Sequence, residues 1–296
     1  MGYVFVLLAA SLWGLIGPAS RFAMRAGIDP VEISFWRAAF AAVLFGVHAA
    51  ARREVRIARR DLASVAGFGA VGIALMYVAY FRAVQAGGAA LAAVLLYTAP
   101  VWVAVMSAAF LRERLGARKL LAMGVALAGV AGIATSGGQG MRLSGPALAW
   151  GLTSGWAYAL YYLFGKRFFA RYHASTLFLY ALPVGAACLL PLVRFHAKSP
   201  AAWAVLAFVA VVPTYGSYLL YSAGLQRIEA TRAATVATFE PVVAAVAAYF
   251  VWGEKMGPVG YACAALVILG VALMVTGGTG DARPAIEGGA PEAGSS

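Results

Sequence analysis

The chain has 296 residues, 63% of them hydrophobic and 11% charged, with a formal charge of +12. Soluble domains are about 45–50% apolar, so this composition excludes a soluble globular protein and places the chain in a bilayer. The Arg and Lys residues fall in short clusters between apolar runs, which argues against a nucleic-acid-binding face.

Apolar runs of span length recur along the whole chain, each bounded by charge, Gly or Pro. The first, 3–24, lacks the basic leader of a secretory signal and is read as a span. It carries Trp13. The second, 31–51, opens with PVEISFWRAAFA and contains Arg37. The third, 62–85, places Tyr77, Tyr80 and Phe81 on one helical face. The fourth, 89–111, holds Tyr97, Pro100 and Trp102. The fifth, 116–137, spaces Gly124, Ala128 and Gly132 for close helix contact. The second half repeats the scheme at 144–168 (Trp156, Tyr158 and Tyr161), 174–194, 200–226 (Tyr215 and Tyr218), 230–252 (Phe239, Glu240 and Pro241) and 257–277. The Gly, Ala and Pro-rich tail at 279–296 is expected to be disordered. Cys188 and Cys263 lie inside apolar runs without CxxC or Cys/His spacing. Neither a disulfide framework nor a metal site is expected.

YTAPVWVAVMSAAFLRERLG and TFEPVVAAVAAYFVWGEKMG align without a gap at an offset of 141, pairing Pro100 with Pro241, Glu113 with Glu254 and Gly116 with Gly257. The same offset pairs Tyr77 with Tyr218, Tyr80 with Tyr221 and Gly129 with Gly270. A shift of two more residues sets Ser11-Leu12-Trp13 against Ser154-Gly155-Trp156. An odd number of spans per copy inverts the second copy. The expected fold is therefore an all-α polytopic membrane protein of ten transmembrane helices, in two inverted five-helix repeats at 1–138 and 139–278. With the N-terminus in the cytoplasm, most basic residues fall on the cytoplasmic side, so both termini are placed there.

PVEISFWRAAFA, the block LYTAPVWVAVMSAAFLRERLG with GVALAG, and the copy TFEPVVAAVAAYFVWGEKMG with LGVAL together resemble the EamA family of the drug/metabolite transporter superfamily. The aromatic-rich character is most similar to bacterial amino-acid exporters, including the aromatic amino-acid group. The resemblance implies a central substrate cavity lined mainly by helices 1, 3, 4, 6, 8 and 9, with helices 5 and 10 peripheral. One departure is visible: the family's Leu-Gly-Glu at the end of the fourth span is Leu111-Arg112-Glu113 here.

Pro100 and Pro241 each remove a backbone donor and are expected to break their helices near the midplane, where repeat transporters hold substrate. A simple packing kink is the alternative. Glu240 has Ala99 as its repeat partner, so symmetry does not require it. An ionised carboxylate in mid-span costs at least about 2.5 kcal/mol. Substrate or proton handling, a structural ion pair with Arg37 or Arg82, and a protonated bystander all stand. Tyr77, Tyr80, Tyr97, Trp102, Trp156, Tyr158, Tyr218 and Phe239 complete the candidate substrate-binding set, with packing and interfacial belts as the alternative for some of them.

The expected function is a secondary transporter exporting small organic metabolites, amino acids including aromatic ones, by alternating access in the bacterial inner membrane. A channel-like facilitator and a broad drug or metabolite efflux carrier are the alternatives. An intramembrane enzyme would need paired acids, a Ser/His arrangement or a metal cluster in the spans, and the sequence offers none of these. No cofactor is expected. The expected partners are a small-molecule substrate and the lipid bilayer, not nucleic acid, and both a homodimer and a monomer are compatible with the sequence.

Overall fold

The computed structural model describes residues 1–136 and 141–277, so the tail expected to be disordered lies outside the described residues. Those residues form helices α1 (Gly2–Arg25), α2 (Pro30–Arg52), α3 (Arg59–Gly87), α4 (Ala89–Leu111), α5 (Ala117–Ser136), α6 (Gly145–Phe168), α7 (Ala174–Leu192), α8 (Pro200–Leu225), α9 (Ala230–Trp252) and α10 (Pro258–Thr276). Nine of these, among the described residues, are long and apolar enough to cross a membrane. The exception is α6, as long as its neighbours at 24 residues but diluted by Gly, Ser, Thr and Tyr. Helices suit this environment because lipid leaves backbone N–H and C=O groups no partner outside the chain. The protein is an integral, all-α polytopic membrane protein.

Helix starts follow local chemistry. The Asp29 carboxylate accepts from the Val31 amide, and Ser144 and Ser199 cap α6 and α8 in the same way, each cap followed by a proline in the first turn. Two pairs of irregularities inside helices are separated by the sequence offset. Wide, π-helical turns occupy Gly69–Leu75 in α3 and Val211–Gly216 in α8. In α8 the cause is Pro213, which cannot donate to Val209, and the freed carbonyl accepts instead from the Thr214 hydroxyl at 2.8 Å. Helix α4 breaks at Tyr97-Thr98 and α9 at Thr238-Phe239, with short i→i−3 bonds at equivalent amides, Thr98 to Leu95 and Phe239 to Val236.

Packing repeats the pairing. Helix α1 lies on α8 and α9, α6 lies on α3 and α4, α2 faces α7, and α5 faces α10. Gly14 and Gly155, also 141 apart, make equivalent close approaches: a Cβ on Gly14 would sit 2.8 Å from the Glu240 carbonyl, and one on Gly155 would sit 2.6 Å from the Leu95 carbonyl. Each glycine therefore seats its helix on the break of a neighbour. Helices α5 and α10 meet through Gly129 and Gly132 against Cys263, and through Gly270 against Ala122 and Ala126. The contact stripe expected at Gly124 is thus displaced, since Gly124 has open space beside it.

The two helix ends at the repeated Glu share one geometry despite the sequence departure. Arg112 adopts the left-handed conformation at φ 55°, as Gly253 does at φ 69°. An L residue pays about 1–2 kcal/mol there. Arg112→Gly is expected to raise the thermal unfolding temperature in detergent, and an unchanged or lower temperature would show that the Arg112 side chain offsets that strain.

The bundle end that holds Met1 is tied by charge. Lys119 pairs with Glu229 at 2.7 Å, Arg232 bonds both Glu229 and the Tyr3 hydroxyl, and Lys166 donates to the carbonyls of Leu225 and Ile228. Burial would raise the Glu229 carboxyl, but hydrogen bonds from Lys119 and Arg232 hold it below its ordinary value. At the same end Asp61 accepts from Tyr172 and Arg171.

Candidate functional site: an aromatic chamber with opposed charges

A cavity of about 650 Å³ lies at the middle of the bundle and extends along the halves of α1, α2, α3 and α4 remote from Met1. Its size suits one small organic solute. The α1 face supplies Trp13, Ser20 and Met24; α2 supplies Ile33, Ser34 and Arg37; α3 supplies Tyr77, Tyr80 and Val84. Ala89, Ala93 and Tyr97 of α4, Tyr158 and Tyr161 of α6, Tyr218 of α8 and Glu240 and Pro241 of α9 close the wall.

The helix irregularities explain why these groups converge. The break in α9 makes Glu240 the first residue of a new half-helix, Glu240–Trp252, so its carboxylate sits at a helix N-terminus, where negative charge is favoured. The wide turn in α8 presents the Thr214 hydroxyl to α2, and Arg37 donates to it through Nε at 2.6 Å. The same guanidinium stands 5.3 Å from the centre of the Tyr77 ring. Arg37 is 9% exposed and, among the described residues, makes no ion pair. Glu240 and Tyr97 face the same space, and among the described residues Glu240 makes no ion pair. Deeper in, the Trp13 indole N–H and the Tyr161 hydroxyl are buried and, among the described residues, have no hydrogen-bond partner; their ring centres are 6.4 Å apart. Tyr162 donates to the Tyr158 hydroxyl at 3.3 Å, which fixes the ring that lines the wall.

Of the residues singled out from the sequence, Tyr77, Tyr80, Tyr97, Tyr158, Tyr218, Glu240 and Pro241 line this cavity. Four others do not. Trp156 lies on the outer face of α6, 37% exposed. The reason is register: Gly14 and Gly155 are the equivalent close-contact positions, so Trp13, one residue before its glycine, points inward, whereas Trp156, one residue after, points out. Trp102 and Phe239 pack against the main hydrophobic core, and Pro100 is buried behind the wall at the break it causes. Arg37, read from the sequence only as a possible partner for Glu240, is the cation that lines the chamber. Helix α5 was expected to be peripheral, but Val130, Ile133 and Ala134 reach the rim, because the face carrying Gly129 and Gly132 is the one spent on α10. Among the described residues there is no group of His, Cys, Asp and Glu able to hold a metal.

Known proteins resemble this chain along most of its length. A solved crystal structure superposes with a TM-score of 0.80 at 16% identity, over 92% of this chain and 95% of that one, which speaks to the fold alone. An uncharacterized transporter of Archaeoglobus fulgidus is 29% identical over 271 residues, covering 91% of this chain and 94% of the relative. The uncharacterized inner membrane transporter YicL of Salmonella typhimurium is 27% identical over 265 residues, covering 85% and 87%. A probable terminal-alkyne amino-acid exporter of Streptantibioticus cattleyicolor is 29% identical over 282 residues, covering 90% and 94%. The EamA-like transporter family matches residues 1–135 and 145–276. With almost every described residue inside those two matches, the chain belongs to the EamA-like transporter family.

Proposed function

We propose that this transporter exports small organic metabolites, amino acids including aromatic ones, across a bacterial inner membrane by alternating access, with both termini in the cytoplasm. One observation carries the reading: Arg37 and Glu240, opposite in charge, face a single tyrosine-walled chamber without pairing. Buried charges ordinarily meet in contact pairs, because an isolated one is costly. Two held apart across a solute-sized space suit a zwitterion, its carboxylate taken by the guanidinium fork and its ammonium by the carboxylate. The tyrosine rings offer the side chain apolar faces and hydroxyls at once. The exporter of Streptantibioticus cattleyicolor, by its name, handles an amino acid, which supports the same substrate class.

With the N-terminus in the cytoplasm, the chamber opens outward and the charged ties around Glu229 seal the inner end. In proteoliposomes loaded with labelled phenylalanine, efflux is expected to saturate with concentration and to be competed by unlabelled amino acids. Flux that rises linearly without competition would make the protein a channel-like facilitator. Equal competition by large hydrophobic cations would favour a broad efflux carrier.

A further inference from the structure

The Glu at the end of α4 has work that its repeat partner lacks. Glu113 reaches across to the first turn of α9, where its carboxylate accepts from the Ala230 amide at 2.8 Å, the Thr231 amide at 3.2 Å and the Thr231 hydroxyl at 2.7 Å. A helix N-terminus leaves such amides without intrahelical partners, and a carboxylate satisfies both them and the helix dipole. This bond joins the inner end of the first repeat to the inner end of the second.

The offset that relates Glu113 to Glu254 relates Ala230 and Thr231 to Ala89 and Ala90, the first residues of α4. No side chain among the described residues caps that helix start, and Ala89 stands at the rim of the chamber. Glu254 is instead ion-paired with Arg21 of α1. Trp252, two residues before it, lies 4.3 Å from Phe22 between ring centres, donates to the Pro18 carbonyl at 3.1 Å and faces Arg25 at 4.1 Å. The outer end of α9 is thus bound to the outer half of α1. Chain ends at Arg112 and Gly253 have the same left-handed turn, and Glu113 and Glu254 amides the same long-reach bonds, to Ser107 and Ala248. The two carboxylates leave their helices with matching geometry but have different partners.

We propose that Glu113 and Glu254 are alternating caps. In the structure described here, which the proposed orientation makes outward-open, Glu113 closes the inner end on the start of α9. When the mouth shuts, Glu254 leaves Arg21 and caps the Ala89 and Ala90 amides, while Glu113 releases Ala230 and Thr231. Each cap stabilises the state in which its own end is closed, so the exchange links opening at one end to closure at the other. The inner cap has three bonds and the outer one two, because Ala90 stands where Thr231 offers a hydroxyl.

The inference rests on the alternating-access reading, and its test needs no substrate. With Cys188 and Cys263 replaced by Ala, a single cysteine at Ala134 on the rim is labelled with a membrane-impermeant maleimide in oriented vesicles. Glu254→Gln is expected to hold the mouth open and raise outside labelling. Arg21→Gln frees Glu254 and is expected to lower it, as are Ala90→Thr, which supplies the missing hydroxyl, and Glu113→Gln, which weakens the inner seal. The loss of one charged cap is expected to shift the labelling rate about tenfold. If Arg21→Gln and Glu254→Gln both lower labelling, the ion pair alone matters and the cap is refuted. If neither moves it while Glu113→Gln does, Glu254 has no part in closure. Failure of the transport reading would appear separately, as absent saturable flux in the unsubstituted protein.

Discussion

Arg37→Gln is expected to weaken phenylalanine efflux severely, raising its apparent KM about thirtyfold or more. Removing one partner of a buried, hydrogen-bonded charge pair costs about 2–5 kcal/mol, and the lower bound is already a factor near 30. The loss should be selective. Phenethylamine, which has no carboxylate, should compete with the Arg37→Gln protein as well as it does with the unsubstituted one, whereas 3-phenylpropionate should lose all competition. Arg37→Lys keeps the charge but not the fork, and is expected to recover only part of the affinity. Glu240→Gln should produce the mirror pattern, with phenethylamine as the ligand that fails. A control separates binding from scaffolding: Thr214→Val removes the hydroxyl that accepts from Arg37 Nε but leaves the charge in place. If Thr214→Val reproduces Arg37→Gln for all three ligands alike, Arg37 acts by holding α2 on α8, and the zwitterion reading falls.

Glu32→Ala should be the most destabilising single change outside the chamber. Glu32 is fully buried and ion-paired with Lys198, whose side chain is only 4% exposed. It also accepts from His196 at 2.9 Å through Nδ1, from the His196 amide at 3.2 Å and from Trp36 Nε1 at 3.3 Å. Lys198 is enclosed by the rings of Trp36, Phe195 and Trp203 at 5.1–5.8 Å. Removing the carboxylate leaves a cation in an aromatic cage with no anion, a loss of about 3–5 kcal/mol. Adding Lys198→Leu removes the stranded charge and fills the cage with apolar atoms, so the double variant should unfold at a higher temperature than Glu32→Ala alone. Thermal unfolding in detergent reads both. A Glu32→Ala protein as stable as the unsubstituted one would mean that water reaches Lys198 and the pair contributes little.

The architecture was legible because the bilayer imposes its own ruler. Spans must run about 20 apolar residues, and a gapless offset from Tyr77 to Gly129 tied the halves together. The break in α9 was readable from Pro241 and that in α4 from Pro100, since a missing donor leaves a mark in the sequence. The wide turn in α3 was not, because Gly69–Leu75 contains no proline and its geometry is recognised only beside its counterpart in α8. Tyr77, Tyr80 and Tyr218 were found through helical spacing and repeat pairing, and Tyr97 and Tyr158 through the helices that the family resemblance assigns to the cavity. Trp156 was misplaced because an apparent match to Trp13 outweighed the glycine register, and glycine contacts are three-dimensional facts. Arg37 was underrated for a similar reason: its depth depends on Thr214, 177 residues away, and no local pattern signals that bond.

The ties around Glu229 carry one more implication. The positions related to Lys119, Glu229 and Arg232 by the repeat offset are Gly260, Gly88 and Leu91, so the duplicated halves share a backbone plan but not these charges. Two interchangeable halves would give a carrier whose empty forms are equally populated. Here one form has bonds that the other cannot copy, and the resting population leans toward it. On the alternating-access export cycle proposed above, such a lean sets the tempo: release is downhill, and the slow leg is the empty carrier's return to the cytoplasmic face.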